Sequence, residues 1–249
     1  MPAIAEIVKC VEKIAPPALA EGWDNTGLLV DAGRDGSHIL VTLDITPAVV
    51  AEAAAQGCEL VVAHHPVIFA PLKQITACDV PALLLQNGIS ALCAHTNWDA
   101  APGGVSDALA ALMGLCETEV LGFGRIGRLP AALSAADFSA LCAEKLHTPV
   151  RLADAGRPVQ RVALAGGSGA DLLPLAVEAG ADCLLTGDAG HHAALDALQA
   201  GLSLVAAGHY ATEWPGVEQL ARRLRQDCPG VQVILSRCCT APFAQVDAG

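Results

Sequence analysis

Six side chains can do chemistry together: the adjacent His64 and His65, then His95 with Asp99, then His209 with Glu213. Imidazole nitrogen and carboxylate oxygen suit zinc, manganese and iron, and one carboxylate can bridge two such ions ~3.5–4 Å apart. A pair of divalent ions, the identity left open among Zn, Fe and Mn, is therefore the economical expectation. A serine nucleophile is not, because no G-x-S-x-G turn occurs. Ser168, within Gly166-Gly167-Ser168-Gly169, comes nearest, and it reads equally as an anion-holding nest of backbone amides or as a plain tight turn. His191 and His192 form a second histidine pair at the start of a helix, facing substrate or capping that helix. His38 and His147 read as surface residues.

The ligand set needs strand ends to hold it. Adjacent side chains on an extended strand point to opposite faces, so His64 and His65 converge only where the apolar run Leu60–Ala63 stops and the backbone turns. Pro66 ends that ladder, since it has no N–H and restrains His65 to extended geometry. The rest of the chain alternates in the same way. Strands are predicted at 39–43, 60–63 and 89–94, with helices at 47–56, 82–87 and 105–113 and a polar loop at 95–104. A second series follows, with strands at 162–165, 183–185 and 202–206, helices at 172–179 and 193–200, a loop at 208–216 and a helix at 217–225.

The two series are one pattern written twice. Ala55-Gln56-Gly57-Cys58-Glu59-Leu60-Val61-Val62 matches Glu178-Ala179-Gly180-Ala181-Asp182-Cys183-Leu184-Leu185, and in that register His95-x-x-x-Asp99 overlays His209-x-x-x-Glu213. The fold class expected is α/β, with two similar, pseudo-symmetric lobes. Glycine-rich 122–127 marks the boundary, giving lobes of 1–124 and 125–249, with the C-terminal segment free to return to the first lobe. Arg125 and Arg128 read as a solvated linker. The Gly22-Trp23-Asp24-Asn25 stretch, ahead of the strand at 28–30, reads as a turn with a packed indole or as a loop placed beside a site.

Composition narrows the function. A net charge of -12, with 14 Lys+Arg against 26 Asp+Glu and no basic cluster, disfavours nucleic acid as a partner. No apolar run approaches the ~20 residues of a membrane span, and the amphipathic start at 1–14 is not an export signal, so a cytoplasmic protein is expected. The 10 cysteines are scattered, with no C-x-x-C, and read as small buried hydrophobes of a reducing compartment rather than a disulfide framework.

These motifs, in order and over nearly the whole chain, resemble the NIF-three-like dinuclear metal-centre family, whose members are often labelled GTP cyclohydrolase 1 type 2 homologues. The resemblance implies His64, His65, Asp99, His209 and Glu213 as metal ligands, Glu213 bridging both ions, two intertwined α/β lobes with the metal site between them, and a toroidal homohexamer. It implies a metal-dependent hydrolase in which activated water attacks a purine nucleotide or related small molecule; His95, beside the ligands, is the candidate for proton transfer. The alternative is a non-enzymatic metal-binding or regulatory scaffold. Trp98 stands where the family pattern leads one to expect leucine, and its bulk would narrow the pocket.

Overall fold

Short apolar strands alternating with alanine-rich helices build two sheets, seen here in a computed structural model that describes residues 3–244. The first part of the chain runs α1 (Ile4–Ile14), β1 (Gly27–Val30), β2 (His38–Thr42), α2 (Pro47–Ala55), β3 (Leu60–Ala63), α3 (Val80–Gln86), β4 (Ser90–Cys93), α4 (Thr96–Ala100) and α5 (Val105–Leu112). It continues through β5 (Cys116–Leu121), β6 (Gly124–Leu133), α6 (Ala135–Leu146), β7 (Arg151–Ala153), β8 (Val159–Leu164), α7 (Leu173–Glu178), β9 (Cys183–Thr186), α8 (His191–Gln199), β10 (Ser203–Ala206), α9 (His209–Asp227) and β11 (Gln232–Leu235). The predicted first helix lies in α1, except that Met1 and Pro2 fall outside the described residues.

The first sheet has the order β1-β4-β3-β2-β11, and the second β5-β6-β8-β9-β10-β7. In each, three parallel strands (β2-β3-β4 and β8-β9-β10) carry an antiparallel strand (β1 or β7) beside the last of them, so the repeat is a repeat of topology. Side chains repeat it too. Glu59 accepts from the amides of Ser37 and His38, and Asp182 accepts from those of Gln160 and Arg161. The hydroxyl oxygen of Ser90 accepts from the Ala32 amide, and that of Ser203 from the Ala155 amide.

Several local expectations change. Gly122 and Gly124 sit at the tip of the β5–β6 hairpin, within the second sheet, whose strands begin at Cys116. Segments 95–104 and 208–216, read as loops, are largely helical: α4 starts after His95, and α9 starts at His209 and runs unbroken past Pro215. Cys10 and Cys228 are joined in a disulfide that ties α1 to the end of α9, against the expectation that every thiol is reduced; the other eight cysteines are free. Among the described residues no helix is long and apolar enough to cross a membrane.

One core lies around the first sheet, and two line the faces of the second, where Val162, Leu164 and Leu185 point one way and Ala163 and Leu184 the other. α9 links them: Ala211 packs on the second sheet's core, while Val217, Leu220, Ala221 and Leu224 join the first.

Candidate metal centre

β3 and β4 end in register at Ala63 and Cys93, and β9 and β10 end in register at Thr186 and Ala206. His64 and His65 continue the first pair of ends, His95 lies two residues past β4, and α9 delivers His209 from the second sheet. The two sets of strand ends meet, with His65 Nε2 3.3 Å from His209 Nε2. His209 and Glu213 lie one turn apart on α9, so both face one side, and their Nε2 and Oε2 atoms are 3.1 Å apart. The His-x-x-x-carboxylate spacing is thus a helical spacing, although segment 208–216 reads as a loop in the sequence.

Each imidazole is aimed by its outer nitrogen. Nδ1 of His64 donates to Ala94 O (2.9 Å), that of His65 to Asp44 (2.7 Å), that of His95 to Asp24 (2.9 Å) and that of His209 to Asp188 (2.8 Å). Those partners only accept, so each Nδ1 carries a proton and Nε2 is turned inward, as metal-ligating histidines require. Asp24 belongs to the stretch that the sequence allows as a loop beside the site, whereas no sequence signal marks Asp44. The repeat register, which sets Asp188 opposite His65, was the available signal for Asp188.

At the centre Glu213 is 4% exposed, and its two oxygens divide their neighbours. Oε1 lies 3.7 Å from His64 Nε2, which is in turn 3.5 Å from Asp99 Oδ1, while Oε2 lies 3.0 Å from His65 Nε2. Burial raises the Glu213 carboxyl, but hydrogen bonds with His209, His64 and His65 outweigh it and hold it well below the usual range. Burial lowers His65, yet Asp44 and Glu213 push it up to about 10, and Glu213 carries His209 up to about 9 against the effect of burial. Asp99 is raised by burial to about 7 despite His64. Burial and then His64 lower His95, overriding Asp24.

A cation fits this place better than protons do. When the imidazoles are neutral, with the proton on the outward Nδ1, His64 Nε2 and Glu213 Oε2 are buried acceptors that meet no donor among the described residues, a costly arrangement that a metal ion satisfies. Ligand-capable atoms of His64, His65 and His95, and of His65, His209 and Glu213, form two groups each within 4.8 Å. His95, expected only to transfer protons, therefore also stands within reach of an ion. The carboxylates of Asp24, Asp44, Asp99, Asp188 and Glu213 in or behind the cluster supply the field that draws cations.

The surroundings bring further corrections. Trp98 does not narrow a pocket: it is fully buried, and its indole N–H donates to Gly216 O (3.0 Å), joining the helix of Asp99 to that of Glu213. Arg125 is no linker residue, being 4% exposed, bound to Asp107 through Nη2 (3.2 Å) and donating to Ala100 O (3.1 Å) just beyond Asp99. Trp23 is not a packed indole but 62% exposed, while Asp24 beside it also accepts from the Thr96 amide (3.0 Å). The Gly167 and Gly169 amides are already donated to Thr212 and Thr186, so the turn serves another end. Gly167, at φ +57°, lies against the Glu213 carboxylate where any Cβ would collide with Oε1. His191 and His192 are exposed on the first turn of α8, apart from the cleft lining.

Two repeated α/β lobes meeting at a cluster of histidines and carboxylates define a class of protein with an interlobe cleft whose His and Glu groups are placed so that they could hold a metal ion. The chain belongs to the Duf34/NIF3 (NGG1p interacting factor 3) family, whose model matches residues 2–242. It is 35% identical to a GTP cyclohydrolase 1 type 2 homolog of Lactococcus lactis over 98% of this chain and 99% of the relative, and 31% identical to one of Clostridium perfringens over 96% and 97%. Among solved structures it is similar to a Bacillus cereus protein related to NIF3 (TM-score 0.90, 25% identity, 99% of both chains). It is also similar to Staphylococcus aureus hypothetical protein SA1388 (TM-score 0.90, 28% identity, 98% and 99%).

Proposed function

We propose that the chain is a dinuclear-metal-dependent hydrolase of a small nitrogen-heterocyclic substrate of the purine nucleotide kind, in keeping with the name its relatives carry. The observation that carries this reading is Glu213, one buried carboxylate whose two oxygens are aimed at separate histidines. His64 and Asp99 would hold one ion with Oε1, and His65 and His209 the other with Oε2. Two such cations supply a water acidified toward neutrality and polarise the bond under attack.

The chain's own residues do the rest. Asp24 fixes His95 with its proton on Nδ1, leaving Nε2 free to take a proton at the cleft. A cleft of about 600 Å³ above the cluster, lined by Trp23, Phe69 and His95 among others, gives a substrate a way in, which a closed structural metal site would lack. A homohexamer is proposed with this function, resting on the family resemblance. Mass measurement in solution giving a monomer at micromolar concentration would exclude it.

The test is turnover of nucleotides by metal-loaded wild type and His95→Gln. Metal-dependent hydrolysis slowed ~10²–10⁴-fold by the substitution, at unchanged metal content, is expected. Loss of an ion in that variant would make His95 a ligand instead. No turnover of any nucleotide would favour a metal-binding scaffold.

A further inference from the structure

The mouth of the cleft carries two large aromatic side chains that the core does not use. Trp23 is 62% and Phe69 59% exposed, and their rings lie 5.9 Å apart at 52°. Neither is loosely placed. Asp24, next to Trp23, is fixed by its bonds to His95 and Thr96, and Asn25 Nδ2 donates to Ile68 O (2.5 Å), beside Phe69. The loop that aims His95 is therefore the loop that holds up Trp23, and the indole stands edge-on 6.2 Å from the His95 ring. Rings presented this way at the rim of a polar cluster are stacking platforms for a flat ligand.

Charge sets the other half of recognition. Among the described residues, none of the side chains lining the cleft is lysine or arginine, and Glu21 and Asp171 stand on its rim. Two of the four amides in the turn that might have cradled a phosphate, those of Gly167 and Gly169, are spent on Thr212 and Thr186. Outside the ion cluster, a triphosphate tail crossing the rim meets Glu21 and Asp171 with no basic side chain to pair with it.

We infer that the organic ligand is recognised by its ring alone: a flat nitrogen heterocycle, uncharged or cationic, at the level of a base or nucleoside, held against Trp23 and Phe69 with any phosphate tail left in solvent. This deepens the hydrolase reading and rests on it for bringing the ring to the ions.

Guanosine and GTP serve as probes, titrated calorimetrically into metal-loaded wild type, Trp23→Ala and Trp23→Phe. The two ligands should bind wild type within tenfold of one another, Trp23→Ala should weaken both about tenfold or more, and Trp23→Phe should restore most of the loss. GTP binding more than tenfold tighter than guanosine, Trp23→Ala leaving the affinities unchanged, or guanosine failing to bind would each overturn the inference. Trp23 is largely solvent-exposed, so its replacement leaves the fold intact. The two readings fail separately: guanosine held through Trp23 with no nucleotide turned over removes the hydrolase, whereas turnover without a Trp23-dependent ring site removes the inference alone.

Discussion

At the residue scale, the centre depends as much on what is missing as on what is present. Gly167 has no Cβ because Glu213 Oε1 occupies the place where one would stand, and its φ of +57° costs any other residue ~1–2 kcal/mol. Gly167→Ala should displace the carboxylate and weaken metal binding by tenfold or more while the circular dichroism spectrum stays native; full metal content in this variant would refute the packing argument. Arg125 makes the complementary case. Its guanidinium satisfies carbonyls at the end of the helix that carries Asp99 and pairs with Asp107, so Arg125→Met should cost about 3 kcal/mol in denaturant unfolding. A change below 1 kcal/mol would mean the pair is merely superficial. The histidines and acids of the cluster were legible in the sequence because their types and spacing recur. Arg125 and Trp98 were misread, because burial depends on partners brought in from distant segments, Asp107 and Gly216, that no local pattern names.

Elements decide how the ligands converge. The strands were legible as apolar runs, and β3 and β9 with their Gly-terminated preceding helices revealed the repeat. α9 was not, because Pro215 and Gly216 read as breakers. Proline removes only one N–H from a long helix, and Gly216 is needed where α9 crosses Val105, whose Cγ2 lies 2.5 Å from the position of a Cβ. The far end of the fold is fastened by another acid. Burial raises Glu52, but hydrogen bonds from Ser236, Arg237 and Cys238 outweigh it and hold the carboxyl below its usual 4.5. A carboxylate depressed in the folded state stabilises above its unfolded pKa, and that stability is lost as pH falls through the folded one. Wild type should therefore lose stability on acidification below about pH 4.5 by more than Glu52→Gln does, as read by thermal unfolding. Parallel losses in the two proteins would show that the C-terminal segment is not held by this charge.

For the whole molecule, duplication explains why the site lies between lobes: each half ends its parallel strands at the same edge, and joining the edges places His65 of one beside His209 of the other. The chain then adds a covalent link the sequence did not disclose, since lone cysteines 218 residues apart carry no pairing signal. Cys10→Ser/Cys228→Ser should lower stability by about 2–4 kcal/mol without changing metal content, because the link lies at the end of α9 remote from His209. An unchanged unfolding midpoint would mean the bond adds nothing to the fold.

The central claim is that Glu213 is shared by two ions. Anaerobic metal analysis of fully loaded protein measures this directly: two divalent ions per chain in wild type, about one in Asp99→Ala, and none in Glu213→Ala. A single ion in wild type, or equal losses in the two variants, would contradict it.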